Sequence, residues 1–96
     1  MMEVRKTDTF AKWLDRLSDI QARARVMARI DRLIDGNPDD VKCVGAGVLE
    51  IRIYYGPGYR VYYVPRGHEL IILLAGGDKD SQPKDIKTAL RLAQNL

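Results

Sequence analysis

Two runs of alternating apolar and polar residues, joined by a short glycine-containing turn, constrain the fold of this chain more than any other feature. The runs extend from Leu49 to Val64 around the turn Tyr55-Gly56-Pro57-Gly58-Tyr59, and this pattern predicts a β-hairpin. A turn centred on Pro57 places Arg52 opposite Tyr62. We therefore expect two neighbouring antiparallel strands with a fixed set of residues on each face.

Side chains alternate between the two faces of a strand, so the position of each residue predicts its face. One face is apolar and needs a core; its members are Leu49, Ile51, Ile53, Val61 and Tyr63. The other face interleaves arginines with tyrosines, namely Arg52, Tyr54, Arg60 and Tyr62. Guanidinium groups bind phosphate and aromatic rings stack on bases, so we expect this face to be the active surface. The alternative is that the arginines solvate the outside of the sheet and the tyrosines pack across strands.

The first part of the chain predicts a short strand and two helices. Glu3 to Lys6 is interpreted as an edge strand, after which Thr7 or Asp8 caps a helix. The buried side of this helix comprises Phe10, Trp13, Leu14 and Leu17. A capping box from Ser18 to Gln21 predicts the start of the second helix, and the pair should form an antiparallel hairpin. The apolar stripe of the second helix comprises Ile20, Ala24, Met27, Ile30, Leu33 and Ile34.

The second part of the chain predicts strands followed by one helix. Asp39-Asp40 is expected to begin a loop, and residues 41–55 to form one long strand. Leu70 to Ala75 is a continuous apolar run, as expected for a strand buried on both faces, and a last helix runs from Ser81 to the end of the chain. The order β-α-α-β-β-β-α predicts an α+β fold, in which an antiparallel twisted sheet carries the helical hairpin on one face.

Length and composition exclude several classes of protein. The 96 residues are expected to form one domain spanning residues 1–96. No apolar run reaches the roughly 20 residues of a membrane helix, and the first residues lack the hydrophobic segment of a secretory signal, so we expect a cytoplasmic protein without membrane contact. A single cysteine, Cys43, interpreted as a buried small residue, and a single histidine, His68, predict no disulfide framework, no metal centre and no cofactor. The net charge of +3 favours an acidic or polyanionic partner.

Four segments of the chain, taken in order, resemble one protein family. They are Leu49-Glu50-Ile51-Arg52-Ile53, Gly58-Tyr59-Arg60-Val61-Tyr62-Tyr63, Leu73-Leu74-Ala75-Gly76-Gly77-Asp78-Lys79 and Gln82-Pro83-Lys84-Asp85-Ile86. Together they are similar to the RelE/ParE toxin superfamily, and the Gly-Gly-Asp-Lys and Asp-Ile elements resemble its HigB-like branch of addiction-module killer proteins. The resemblance implies a RelE-like fold and the toxin of a type II toxin-antitoxin system.

The resemblance also implies an activity and a set of partners. Ribonuclease members cleave messenger RNA in the ribosomal A site without a metal, and the expected reaction is attack of the 2′-hydroxyl of the substrate on the adjacent phosphorus. A co-expressed antitoxin, expected to be a helix-turn-helix protein from an adjacent gene, holds the toxin inactive. The implied partners are therefore the antitoxin, the ribosome and mRNA, with a further assembly of toxin and antitoxin on operator DNA.

Basic residues surround the scissile phosphate in the ribonuclease members, and three of them have counterparts here. Arg60 matches the hairpin arginine, Arg52 lies near the first basic position and Lys79 matches the last one. We expect these three residues to be catalytic, together with Asp78. RNA contact is expected from Tyr54, Tyr62, Gln82 and Lys84. The alternative for Gln82 and Lys84 is that they only cap the last helix.

The chain departs from the ribonuclease pattern in two ways that leave the reaction open. Glu50 stands where some members have a second basic residue, and no tyrosine or histidine follows Lys79, where several members have an acid-base residue. The general base is therefore Asp78, Asp85, an arginine or a ribosomal group. A ParE-like inhibitor that binds DNA gyrase is the alternative function, and an inactive antitoxin-binding module is the third.

Two further features have both a structural and a functional interpretation. Gly76-Gly77 either ends a strand or lets the backbone approach a phosphate closely. The arginines of the second helix either form a solvated face or contact ribosomal RNA or the antitoxin. These arginines are Arg23, Arg25, Arg29 and Arg32.

Overall fold

The computed structural model describes residues 2–38 and 40–96, which contain five strands and three helices. In chain order they are β1 (Glu3–Lys6), α1 (Asp8–Arg16), α2 (Ile20–Ile34), β2 (Val41–Gly45), β3 (Val48–Ile53), β4 (Tyr59–Arg66), β5 (Leu70–Gly77) and α3 (Gln82–Gln94). The strands form one sheet in the order β1-β5-β4-β3-β2. The α+β class predicted from the sequence is confirmed. Asp39, expected to begin a loop, lies outside the described residues.

The sheet is mixed, whereas the sequence predicted an antiparallel one. Strands β2 to β5 pair antiparallel with their neighbours, but β1 runs parallel to β5, with Glu3 opposite Leu70 and Lys6 opposite Leu73. The two helices separate β1 from the other strands along the chain, so no hairpin turn fixes its direction. The predicted edge position of β1 is correct.

The long strand expected over residues 41–55 is two strands, β2 and β3. Gly45, Ala46 and Gly47 all have positive φ angles, which reverse the chain direction between the two strands. The sheet therefore has one strand more than predicted. Because β2 is an edge strand, Cys43 on it is exposed rather than buried.

The hairpin of β3 and β4 has the predicted faces but a different register. Arg52 is opposite Arg60 and Glu50 is opposite Tyr62, a shift of two residues from the pairing expected for a turn at Pro57. The connection is longer than expected and leaves Tyr54 outside both strands. A shift of two residues keeps every side chain on its predicted face, because the period of a strand is two.

The start of α2 and the face that it buries differ from the prediction. Its N-cap is Asp19 and not Ser18, and Oδ1 of Asp19 accepts from the backbone N–H groups of Gln21 and Ala22 at 2.9 and 3.3 Å. Thr7 caps α1, as expected. The buried residues of α2 are Ala22, Val26, Ile30 and Leu33. Ile20, Ala24 and Met27, expected in the stripe, are exposed.

Helices cover both faces of the sheet, which therefore has two cores. The first core lies under α1 and α2 and includes the predicted apolar face of the hairpin, with Ile51, Ile53, Val61 and Tyr63. The second core lies under α3 and includes Val48, Tyr62, Leu74, Ala89 and Ala93. The confirmed two-sided burial of β5 follows from this arrangement. Helix α3 thus covers part of the face that carries Arg52 and Arg60. Within residues 2–38 and 40–96, no helix is long and apolar enough to cross a bilayer.

Candidate functional site

A row of three cross-strand partners crosses the sheet on the side of α3. Arg52 of β3 is opposite Arg60 of β4, and Arg60 is opposite Gly77 of β5. Glu50 lies two residues before Arg52 and shares this face. The row places two guanidinium groups and one position without a side chain next to each other, directly beside the amino end of α3.

The buried carboxylate of Glu50 contacts both arginines of this row. Its side chain is fully buried, at 0% exposure. Nε of Arg52 donates to Oε1 of Glu50 at 3.1 Å, and Nε2 of Gln82 donates to Oε2 at 2.9 Å. Nε of Arg60 lies 3.7 Å from Oε2 of Glu50. One carboxylate therefore joins β3, β4 and α3.

The ionised form of Glu50 is the stable one in this environment. Burial alone would raise the pKa of Glu50, but hydrogen bonds from Gln82 and Arg52 outweigh burial and hold its pKa below the ordinary value. The carboxylate thus neutralises part of the positive charge of the row. Its hydrogen bond orients Arg52, whereas Arg60 is held near it by charge alone.

Arg60 is mostly buried, although the sequence predicted that it points outward. Its exposure is 9%, and Nη1 donates to the carbonyl oxygen of Gly58 in the hairpin connection at 3.0 Å. A Cβ atom on Gly58 would lie 3.7 Å from Cβ of Lys79 and 3.8 Å from Nη1 of Arg60. Lys79, which is exposed, and Arg60 therefore both lie next to Gly58 of the hairpin connection.

Asp78, expected to be catalytic, stabilises the turn before α3. Its Oδ1 atom accepts from the backbone N–H groups of Asp80 and Ser81 at 3.0 and 3.1 Å. These bonds organise the backbone that leads into the helix. Oδ1 of Asp78 is therefore engaged in the turn, which gives this carboxylate a structural role.

Asp85 is the aspartate that faces the row. It is half-buried, Oγ of Ser81 donates to its Oδ2 atom, and its carboxylate lies against Gly77. Burial raises the pKa of Asp85, and the negative charge of Asp78 adds to this effect, against the hydrogen bond from Ser81. A carboxyl with a raised pKa, lying against the cross-strand partner of Arg60, is suited to proton transfer.

The two tyrosines predicted to contact RNA lie in very different environments. Tyr62 is fully buried beneath α3, and burial, followed by the charge of Glu50, raises its pKa. Its ring is inaccessible to a base, so this prediction is wrong; the sequence did not show that α3 packs on this face. Tyr54 is 71% exposed and lines a cavity of about 280 Å³ with Arg25 and Arg29. Its role in RNA contact stays a prediction.

The other two predicted RNA-contact residues, Gln82 and Lys84, lie in different places. Gln82 joins the site through its hydrogen bond to Glu50. Lys84 is exposed and lies on a cleft between α1 and α3. Gly76 and Gly77 are in strand β5, and their missing side chains make room for Trp13 and Asp85 respectively. Packing alone explains both glycines.

Two arginines of α2 have specific contacts instead of forming a solvated face. Nη1 of Arg29 donates to the carbonyl oxygen of Arg52 at 2.5 Å, and Nη2 donates to that of Pro38 at 3.0 Å. The guanidinium of Arg25 lies 4.7 Å from the centre of the Tyr55 ring. Arg29 therefore ties α2 to β3 directly behind the arginine row.

Sequence reasoning treated Glu50 only as a departure from a pattern and missed its role. The signal was available, because Glu50 and Arg52 are two residues apart on one strand face and carry opposite charges. Ser81, which links Asp78 and Asp85, gave no such signal. Among the described residues, no group of three or more histidine, cysteine or acidic side chains is arranged to hold a metal ion.

Comparison with known proteins gives two matches. Residues 12–96 match the family described as phage-derived protein Gp49-like (DUF891). An uncharacterized protein of Haemophilus influenzae is 48% identical over 95 residues, which cover 99% of this chain and 96% of the relative. The family match includes every residue of the site described above.

Proposed function

Since the chain belongs to the Gp49-like family of phage-derived proteins, which is a RelE/ParE-like toxin family, we propose that it is a HigB-like toxin and a metal-independent endoribonuclease. The observation that carries the proposal is the row of Arg52, Arg60 and Gly77 with the Asp85 carboxylate against Gly77. Family membership implies an antitoxin partner. The proposed substrate is messenger RNA on the ribosome.

The proposed reaction is an internal transesterification of RNA. The 2′-oxygen forms a bond to the adjacent phosphorus, the bond from phosphorus to the 5′-oxygen breaks, and the products are a 2′,3′-cyclic phosphate and a 5′-hydroxyl. The protein has to accept the proton of the 2′-hydroxyl, stabilise a phosphorane with two negative charges and neutralise the leaving oxygen. No other reactant is consumed.

The described residues supply each of these needs. A hydrogen bond to Glu50 orients Arg52 and one to the Gly58 carbonyl oxygen orients Arg60, so both can stabilise the developing charge without reorganising. Asp85 is the proposed proton acceptor, because its pKa is raised towards neutral pH and a base of higher pKa accepts a proton more readily. Lys79, exposed beside the hairpin connection, is the proposed partner of the leaving oxygen.

The test compares the two arginines with a control arginine on the same sheet. Arg60→Ala removes a partner of a buried carboxylate and is expected to cost about 1–3 kcal/mol of stability, so Arg60→Lys is the better probe. Arg52→Ala and Arg60→Lys should abolish growth arrest and the new 5′ ends that primer extension detects in a translated message. Arg66→Lys, at the far end of β4, should retain both. Full toxicity of a folded Arg52→Ala or Arg60→Lys protein would contradict the proposal.

The buried partner of the arginines favours a second candidate function. Glu50 already neutralises part of the row, and a site for protein binding needs no free positive charge. A gyrase inhibitor of the ParE type would leave messages intact and cause DNA breaks that depend on gyrase. The same induction experiment therefore separates the two candidates.

A further inference from the structure

A cleft lies where strand β5 extends past the end of β1. The strand β1 pairs with β5 only as far as Leu73, so residues 74–77 of β5 continue without a strand beside them on that edge. Helix α1 forms one wall of the cleft, α3 forms the other, and Gly76 lies at the bottom. The volume of this cleft is about 390 Å³, compared with about 280 and 260 Å³ for two other cavities formed by residues 2–38 and 40–96.

Positive charge is present on both walls of this cleft. Lys12 and Arg16 lie one helical turn apart on α1, and Lys84 lies opposite on α3. Neither Lys12 nor Arg16 has an ion pair or a side-chain hydrogen bond among the described residues. The carboxylate on the cleft is that of Asp85, which is already bound to Ser81. The cleft therefore has an excess of unpaired cations.

The cleft is continuous with the arginine row. Asp85 lines the cleft and also lies against Gly77, the last member of the row. Trp13, half-buried against Gly76, lines the cleft and contacts Tyr59 at the start of β4 with ring centres 6.3 Å apart. A polymer that passes over Arg60 can thus enter the cleft without crossing the body of the protein.

We propose that this cleft is a second RNA subsite, which binds the phosphates of the single-stranded RNA that extends from the cleavage site. The inference rests on the proposed function, and it adds a substrate-binding surface made by Lys12, Arg16 and Lys84. An acidic peptide is the other ligand that such charges suit. A peptide needs apolar anchors for affinity, whereas the large side chains on the walls, apart from Trp13, are three cations, two threonines and the Asp85 carboxylate. The cations and hydroxyls suit phosphates and sugars.

The test measures binding of oligonucleotides of two lengths that carry 2′-deoxyribose at the cleavage position and are therefore not cut. The variant Lys12→Ala/Arg16→Ala/Lys84→Ala is compared with Lys42→Ala/Lys87→Ala/Arg91→Ala, which removes the same charge from exposed positions outside the cleft. A trinucleotide covers only the arginine row, and a dodecanucleotide also reaches the cleft. Fluorescence anisotropy over a range of salt concentrations gives both the affinity and its salt dependence.

We expect the cleft variant to bind the trinucleotide normally and to lose affinity for the dodecanucleotide. Loss of three phosphate contacts should lower the slope of log affinity against log salt by about 2. A cleft variant that binds the dodecanucleotide as the control variant does would overturn the inference and leave the proposed function intact. The inference is equally wrong if the cleft variant loses antitoxin binding alone. Failure of the unmodified protein to bind either oligonucleotide would also overturn the inference, whereas the proposed function is tested separately by growth arrest and primer extension.

Discussion

The carboxylate of Asp85 occupies the space that a side chain on Gly77 would need. Any Cβ atom at position 77 would collide with Oδ2 of Asp85 and would come 2.8 Å from Oγ of Ser81. The absence of a side chain on β5 therefore lets α3 approach the sheet and brings its carboxylate to the end of the arginine row. Packing and the proposed chemistry depend on the same missing methyl group.

Gly77→Ala should destabilise the protein by about 1–3 kcal/mol, because the added methyl group forces α3 away from β5. Denaturant unfolding followed by circular dichroism measures the loss. Gly77→Ala combined with Asp85→Ala should regain part of the stability, since the closest collision is removed and only the approach to Oγ of Ser81 remains, while RNA cleavage stays low. A Gly77→Ala protein as stable as the unmodified one would show that α3 does not pack as described.

Asp85→Asn should stabilise the protein at neutral pH and reduce cleavage. The pKa of Asp85 in the folded protein is raised above the ordinary value of 3.8, so ionisation of this group opposes folding once the pH rises above that value. Asparagine keeps an oxygen for Ser81 but carries no charge. Unfolding curves at several pH values should show a gain that disappears below about pH 3.8. Full cleavage activity in Asp85→Asn would exclude Asp85 as the proton acceptor.

Glu50→Gln should have the opposite pH dependence. The pKa of Glu50 in the folded protein is lowered from 4.5, so its ionised form contributes stability above pH 4.5 that is lost as the pH falls through the lower folded value. At neutral pH the variant should lose about 1–3 kcal/mol, because Arg60 keeps no carboxylate partner. The difference from the unmodified protein should shrink in acid. Glu69→Gln, at an exposed turn position, is the control.

Charge reversal on α2 should separate a structural arginine from a binding one. Arg29→Glu should impair folding, because Arg29 donates to the carbonyl oxygens of Arg52 and Pro38. Arg25→Glu should leave the fold intact and slow association with an acidic antitoxin segment at low salt. Arg23→Glu, also exposed on α2, is the matched control. Equal association rates of the unmodified protein, Arg25→Glu and Arg23→Glu at low salt would exclude this face from the antitoxin interface.

Local sequence patterns predicted which face of a strand each residue occupies, and they predicted where the helices lie. The faces of the hairpin followed from alternation, and they survived a register error of two residues because that error preserves parity. The stripe of α2 was harder, since apolar residues at its exposed side, such as Ile20 and Met27, fit the same spacing as the buried ones. The turn at residues 45–47 was missed because two glycines also suit a frayed strand.

The site was only partly predictable, because α3 determines which of its residues remain accessible. The sequence placed Arg52, Arg60 and Tyr62 on one face, but a contact between elements distant along the chain buries Tyr62 and pairs Glu50 with Gln82. Local periodicity carries no information about such a contact. For the same reason, the sequence did not distinguish Asp78, which binds its own turn, from Asp85, which faces the sheet.

The order of synthesis delays completion of this site. Oγ1 of Thr7 donates to the carbonyl oxygen of Leu74, 67 residues later, and the strands with Arg52 and Arg60 are synthesised before the helix with Gln82 and Asp85. A sheet that depends on such distant pairings folds late, since the chain must close long loops first. While α3 is unmade, Glu50 lacks one of its donors and the row lacks its carboxylate. Under the proposed function, a growing chain is therefore inactive until α3 has been made, and the antitoxin is needed only from that point onward.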